Sequence, residues 1–473
     1  MKKVIILSTS LFTDRIILFS TFSDSIPESL NLEVWATSYP NNKIVYENKN
    51  IKFQTFPEVA NFRERYNFIR AINNLAWAYY LKAPSILSYM KFNSKNFPFK
   101  KRVRHNIINI FSKFLASFKL VSFFEDLLFS ILKDQSRSAE AYQRLRDSRP
   151  DLLVITNPFW THESAVAIEA KKLGIPIYSF IPSWDNITTK SRFVFKSNFY
   201  AVWSEVQKEQ LIRYYPYIRN LPVFVVGAPQ FDVFVNNNYS TSKSVFFKQN
   251  NLDPNLPVVL YAFGSPNFIK SEFETCRQFL EKSVNSGSIE GFQVLIRPHP
   301  NKDSSNSIQE LSNMHPNIHI QVTTIPGIQV VQRSQSEMDI ADWIATFKFS
   351  DVLINLSSTC IFDSAYFDKP VININFDHTA KGHYNYFIKE LNSTWEHVRP
   401  IFDINAVYNV NSIDEMCDNL KRVLKSPIEK LDNQKLMLQI LCNNSNGQSG
   451  KAFINSISKS LDLIYSKNES GEK

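Results

Sequence analysis

"LINLSSTCIFDSAYFDKPVI", Leu353 to Ile372, decides how the chain is read. It opens as an apolar run of strand character and breaks into three consecutive hydroxyl side chains, Ser357, Ser358 and Thr359. It then takes helical spacing until Pro370 starts a second apolar run. Strand, polar turn, helix, strand is the unit of a parallel sheet covered by helices. A helix N-terminus exposes unpaired N–H groups and about half a positive charge, so hydroxyls there can cap the helix or hold a phosphate. One hydroxyl suffices for capping; three in a row at the carboxyl end of a strand favour phosphate.

The same grammar runs outward in both directions. "PVVLYAFGS", "FQVLIRPHP" and "NIHIQV" precede the stretch, and "PVININF" ends it. Earlier, residues 2–7, "NLEVWATS", "IKFQTF", "DLLVITN", "IPIYSFI", "NFYAVW" and "PVFVVGAP" read as a second set of strands. With 473 residues the chain is too long for one ordinary core. The expectation is α/β, two Rossmann-like doubly wound domains with a cleft between the carboxyl ends of their sheets. The first covers 1–234 with a helical, basic insertion at about 61–149; the second covers 245–465, after a polar link at Val235–Ser244.

Composition narrows the class. Hydrophobic residues at 44% and charged residues at 21% fit a soluble globular protein. Cys276, Cys360, Cys417 and Cys442 form no CxxC or Cys/His cluster, so a reducing cytoplasm is expected, without zinc or disulfides. The start "MKKVIILSTSLF" carries too short an apolar run for a signal peptide and reads as a first buried strand. Of the net charge of +9, residues 61–149 supply 17 Lys and Arg against 6 Asp and Glu, or +11, leaving −2 for the remainder. Basicity confined to one segment argues against a nucleic-acid binder and for a local anionic surface or substrate.

Within that segment, Asn106–Lys133 reads as a helix apolar nearly all round but interrupted by Lys113, Lys119, Glu125 and Asp126. Each charge costs roughly 2–3 kcal/mol at a membrane centre, so a spanning helix is not expected. Two readings stay open. Lys100, Lys101, Arg102 and Arg104 can meet lipid phosphate beside an interfacial helix, a peripheral contact at the inner face of the plasma membrane. Alternatively, the helices pack on the sheet behind a solvated basic rim.

Chemistry concentrates at strand ends. Arg297 and His299 alternate in extended chain and face one way; Gly264 and Ser265 form a small turn that lets backbone N–H groups approach an anion. With Ser357, Ser358 and Thr359 they make a candidate diphosphate pocket. Asp363, one helical turn beyond Thr359, suits a ribose diol or simply the helix dipole. For a base in the first domain the candidates are Asp185, in "PSWDNITTK" beside Trp184, then His162 and Glu163 after "TNPFW". Asp185 also suits a turn-capping role.

The order GSP, RPHP, then "SDVLINLSSTCIFDSAYFDKPVI" resembles the carboxyl-terminal domain of GT-B glycosyltransferases. It is nearest the group of UDP-N-acetylglucosamine 2-epimerases, Kdo transferases and CDP-glycerol glycerophosphotransferases. The resemblance spans roughly residues 150–380. It implies that the second domain grips a nucleotide-activated donor, a UDP-sugar by preference, as substrate rather than cofactor, while the first presents a glycan or lipid-linked acceptor. Arg297, His299, Ser358 and Thr359 would contact donor phosphates, and Asp363 would stand where the group more commonly has Glu near the ribose. Many epimerases carry Gly-Gly where Ser357–Ser358 stand, which counts against epimerisation. No DxD occurs, so the leaving diphosphate is expected to be met by cationic and helix-end groups rather than a metal. The leading expectation is an inverting glycosyltransferase of bacterial surface-polysaccharide synthesis. A CDP-polyol phosphotransferase of teichoic-acid type and a catalytically silent nucleotide-sugar-binding scaffold are its rivals.

Overall fold

The computed structural model describes all residues except 38–45, 48, 50, 96, 134, 136, 237, 266–270, 300–305, 322–334, 378–384 and 471–473. Two compact units emerge. Unit 1 comprises Met1–Asp232 together with Ile440–Lys473, and unit 2 comprises Val233–Val330 and Gln335–Gln439.

Unit 1 is built on a parallel sheet of β1 (Lys2–Ser8), β2 (Leu30–Ala36), β3 (Lys52–Thr55), β4 (Leu152–Ile155), β5 (Ile177–Phe180), β6 (Phe199–Val202) and β7 (Val223–Val225), in the order β3-β2-β1-β4-β5-β6-β7. β4, β5 and β6 are buried at every position, which is why they read as unbroken apolar runs rather than alternating ones. Unit 2 repeats the plan with β8 (Val258–Ala262), β9 (Gln293–Arg297), β10 (Ile318–Ile320), β11 (Val352–Asn355), β12 (Val371–Ile374) and β13 (Tyr408–Val410), in the order β10-β9-β8-β11-β12-β13. In each sheet the strand order reverses beside the first strand, at β1/β4 and at β8/β11. At such switch points the loops leaving neighbouring strands part and open a crevice.

Between β3 and β4 the described residues form the helices α1 (Glu64–Leu81), α2 (Pro84–Ser94), α3 (Phe99–Ser117), α4 (Val121–Lys133) and α5 (Ala139–Ser148). Ile72, Leu75, Ala78, Ile86 and Ile108 from this insertion pack with Phe193, Tyr200 and Tyr214 of the sheet side. The apolar run expected as one helix over Asn106–Lys133 is two. It turns at Lys119, which takes a left-handed conformation at φ 58° and separates α3 from α4.

The end of the chain also departs from expectation. Helix α6 (Thr161–Lys172) covers β4 as anticipated, but the closing helix α7 (Ser449–Ser470) belongs to unit 1, not to the 245–465 domain. Buried Asp232 accepts hydrogen bonds from the Ser449 and Gly450 N–H groups at 3.1 and 2.9 Å, from Asn444 Nδ2 at 2.8 Å and from Thr21 Oγ1 at 2.5 Å. That carboxylate satisfies first-turn donors of α7 that would otherwise be orphaned. Gly450 is required there, because a Cβ would meet the backbone nitrogens of Phe22 and Thr21.

Candidate functional site

In unit 2, β9 ends in Arg297, and its guanidinium is held from two sides. Nη1 donates to Gln321 Oε1 at 2.6 Å and to Thr346 Oγ1 at 3.3 Å, while Gln321 Nε2 donates to the same threonine oxygen at 2.8 Å. Gln321 follows β10 directly and Thr346 lies on helix Glu337–Lys348, so three elements fix one cation. Burial pulls the guanidinium below its ordinary value, and the neighbouring Cys360, Asp363 and Asp342 pull it back up. Sequence reading missed Gln321 and Thr346; the polar Gln321 just beyond an apolar strand was the available signal.

His299, two residues on, is half-buried. Burial first, and the Arg297 charge second, hold its imidazole down to about 4. The ring is therefore neutral at neutral pH, so of these two residues Arg297 is the cation and His299 is a hydrogen-bonding or proton-accepting group.

The hydroxyl turn after β11 divides its labour. Ser357 adopts φ 38°; its N–H donates to Asn373 Oδ1 at 2.8 Å and its hydroxyl to Asn373 and Asn392. It is thus anchored to β12 through Asn373 and to the helix Asn385–Thr394 through Asn392. Ser358 Oγ accepts from the Cys360 N–H at 3.1 Å, a local turn bond at the helix start. Among the described residues only Thr359 of the three is left with an uncommitted hydroxyl. Asp363 is buried, 5% exposed, on the short helix Cys360–Ala365 that follows the turn, and its charge acts on Arg297.

Gly264 differs from expectation. Its N–H is already bonded to both carboxylate oxygens of Glu272, at 3.1 and 2.9 Å, so it is not offered to an anion. Ser265 is half-buried beside it, while Pro266 and Pro300, the outer residues of GSP and RPHP, lie outside the described residues.

In unit 1 the three candidate bases occupy distinct settings. Asp185 accepts from Ser183 Oγ at 2.5 Å, Asn186 Nδ2 at 3.1 Å and Thr189 Oγ1 at 3.0 Å, and makes no side-chain cap to the helix it precedes. Its carboxylate ties together the "SWDNITT" loop. Glu163 is fully buried at the β1/β4 switch point, accepting from the Thr156 and Asn157 N–H groups at 2.9 and 2.8 Å and from the Thr9 hydroxyl. Burial, opposed by those bonds, raises its carboxyl to about 7. His162 is exposed; partial desolvation and the Arg137 charge lower its imidazole. The structure thus gathers Arg297, His299, Thr359 and Asp363 at one sheet edge. It assigns Ser357, Ser358, Gly264, Asp185 and Glu163 to holding loops.

Residues 165–458 match the family model described as CDP-Glycerol:Poly(glycerophosphate) glycerophosphotransferase. No curated protein matches in a sequence search. Among solved structures, a co-structure of S. aureus MnaA with UDP is 12% identical, with 98% of each chain covered and a TM-score of 0.55. The UDP-GlcNAc 2-epimerase from Neisseria meningitidis bound to UDP-GlcNAc is 15% identical, covering 97% of this chain and 100% of that one, with a TM-score of 0.55. The UDP-GlcNAc 2-epimerase from Methanocaldococcus jannaschii is 13% identical, covering 97% and 100%, with a TM-score of 0.52. At such identity these likenesses show the fold, two Rossmann-like domains of the GT-B type.

Proposed function

The chain belongs to the CDP-glycerol:poly(glycerophosphate) glycerophosphotransferase family, and on that premise we propose that it transfers a polyol phosphate from a CDP-linked donor to a hydroxyl of a phosphate-bearing polyol or glycan acceptor. The supporting observation is that the matched region contains Arg297, fixed as a cation by Gln321 and Thr346, beside the neutral imidazole of His299. In the reaction the acceptor oxygen attacks the β-phosphorus, the bond from that phosphorus to the bridging oxygen breaks, and CMP leaves with the bonding electrons. Arg297 stabilises charge on the phosphoryl oxygens and His299 takes the hydroxyl proton. Sugar transfer, the leading expectation from sequence, would use the same donor grip but break the carbon–oxygen bond instead.

An anionic membrane as the seat of the acceptor is supported by the surface of the insertion. Phe99, Val103, Ile107, Ile110, Phe111, Phe114 and Phe118 are all exposed and form one stripe along α3, which Phe123 and Leu127 of α4 extend. Lys100, Lys101, Arg102 and Arg104 are exposed on the same helix. Among the described residues no helix is long and apolar enough to cross a membrane; an exposed apolar stripe beside a basic helix end suits an amphipathic element lying at the lipid surface.

Thermal protection tests the donor. CDP-glycerol should raise the melting temperature of the wild type and not that of Arg297→Ala. Protection by UDP-sugars with none by CDP-glycerol would contradict the reading.

A further inference from the structure

A cavity of about 260 Å³ lies inside the helical insertion, between α1, α2, α3 and α4, closed by residues 191–194. Its walls combine Met90 and Ile108 with Asn67, Arg70, Asn73 and Arg192. The two guanidiniums are treated differently. Arg192 is fully compensated: it pairs with Glu125 through Nε at 2.6 Å and Nη2 at 3.0 Å and donates to the Tyr214 carbonyl. It also lies over the rings of Trp77 and Tyr215. Arg70 has no carboxylate partner among the described residues. Its nearest polar contact is Asn67 Oδ1 at 3.5 Å, too long for a firm hydrogen bond, and it rests 4.7 Å from the centroid of Phe62.

A second guanidinium shares that ring. Buried Arg137 lies 3.4 Å from the Phe62 centroid and, among the described residues, its guanidinium donates only to the carbonyls of Ala60 and Thr161; Glu169 accepts from its backbone N–H. The two cations repel: burial, then the charge of Arg70, pull Arg137 down to about 10, with Glu169 opposing. Exposed His162, next to Thr161, feels the same positive field. Two desolvated cations on one aromatic ring are expensive unless an anion joins them. The neighbouring polar group needs a different partner. Asn73 Nδ2 donates to Glu125 at 3.2 Å, but buried Asn73 Oδ1 has no donor among the described residues. A ligand that carries both negative charge and a hydroxyl group answers both demands.

We propose that this cavity is a binding site for a small polyol phosphate, its phosphate on Arg70 and a hydroxyl donated to Asn73 Oδ1. The chemistry is shared by a soluble polyol phosphate and by the headgroup of a glycerophospholipid arriving along the apolar stripe of α3. The inference stands on geometry inside unit 1 and is independent of the transfer reaction.

Calorimetry without any nucleotide tests it, using sn-glycerol 3-phosphate, glycerol and monomeric dihexanoyl-phosphatidylglycerol. Saturable binding of either phosphate compound but not of glycerol is expected, and whichever binds tighter identifies the source. Arg70→Gln should weaken that binding at least tenfold, and Arg70→Lys less. Met90→Phe, which fills the cavity and keeps the charge, should abolish it and serves if Arg70→Gln does not fold. Absence of binding by the wild type, or unchanged affinity in folded Arg70→Gln or Met90→Phe, would overturn the proposal.

Discussion

Arg297 Nη1 stands 2.6 Å from Gln321 Oε1, so a cation at the end of β9 is aimed by a residue just beyond the next strand in the sheet. Charge and aim are separable. Arg297→Ala should weaken CDP-glycerol binding by about 2–4 kcal/mol, the loss of a charge-assisted contact, with little change in folding. Gln321→Leu keeps the charge but loses the aim and should cost about 1 kcal/mol. Calorimetry finding unchanged affinity in folded Arg297→Ala would remove it from the donor site.

Glu163 gives a pH signature. Its carboxyl is raised from 4.5 to about 7, so between those values the unfolded chain ionises while the folded chain keeps its proton. The folded state then binds more protons, and stability falls as pH rises through that window, by about 3 kcal/mol in all, levelling off above it. Glu163→Gln, which mimics the protonated form, should flatten this slope in denaturant titrations. An unaltered slope would show that another group titrates.

Asp185 separates loop organisation from catalysis. With three side-chain donors on its carboxylate, Asp185→Ala should lower the melting temperature by a few degrees through loss of those bonds. Asp185→Asn should keep activity within about tenfold, since the amide preserves shape and most bonding. A loss of roughly 10²–10⁴ in kcat with unchanged melting temperature would instead make it the base.

The basic end of α3 predicts salt-sensitive flotation. Replacing Lys100, Lys101, Arg102 and Arg104 with Gln should weaken binding to phosphatidylglycerol vesicles by about 1 kcal/mol per residue at low salt. Equal flotation on neutral and anionic vesicles would contradict the electrostatic contribution.

Much of this was legible because doubly buried parallel strands write themselves as continuous apolar runs, so "DLLVITN" and "DVLINLSST" announce their own places. What was not legible depends on contacts distant in sequence. Nothing near Ser449 says that Asp232 will hold α7 to the first sheet, and nothing near Gly264 says that Glu272 will fold back on its N–H. Lys119 turns the chain without Gly or Pro, the residues that usually mark such a break. Ser357–Thr359 was the instructive case. The residue types were right for an anion, yet Asn373 and Asn392, brought in by neighbouring elements, claim the first hydroxyl.

The central claim is which bond breaks, and a donor labelled with ³²P at the β-phosphorus of CDP-glycerol reads it directly. Phosphoryl transfer predicts that the label moves to the acceptor product as one glycerol phosphate for each unlabelled CMP released, with Arg297→Ala suppressing both. Label retained in CDP while unphosphorylated glycerol appears on the acceptor would mean carbon–oxygen cleavage and would contradict the account.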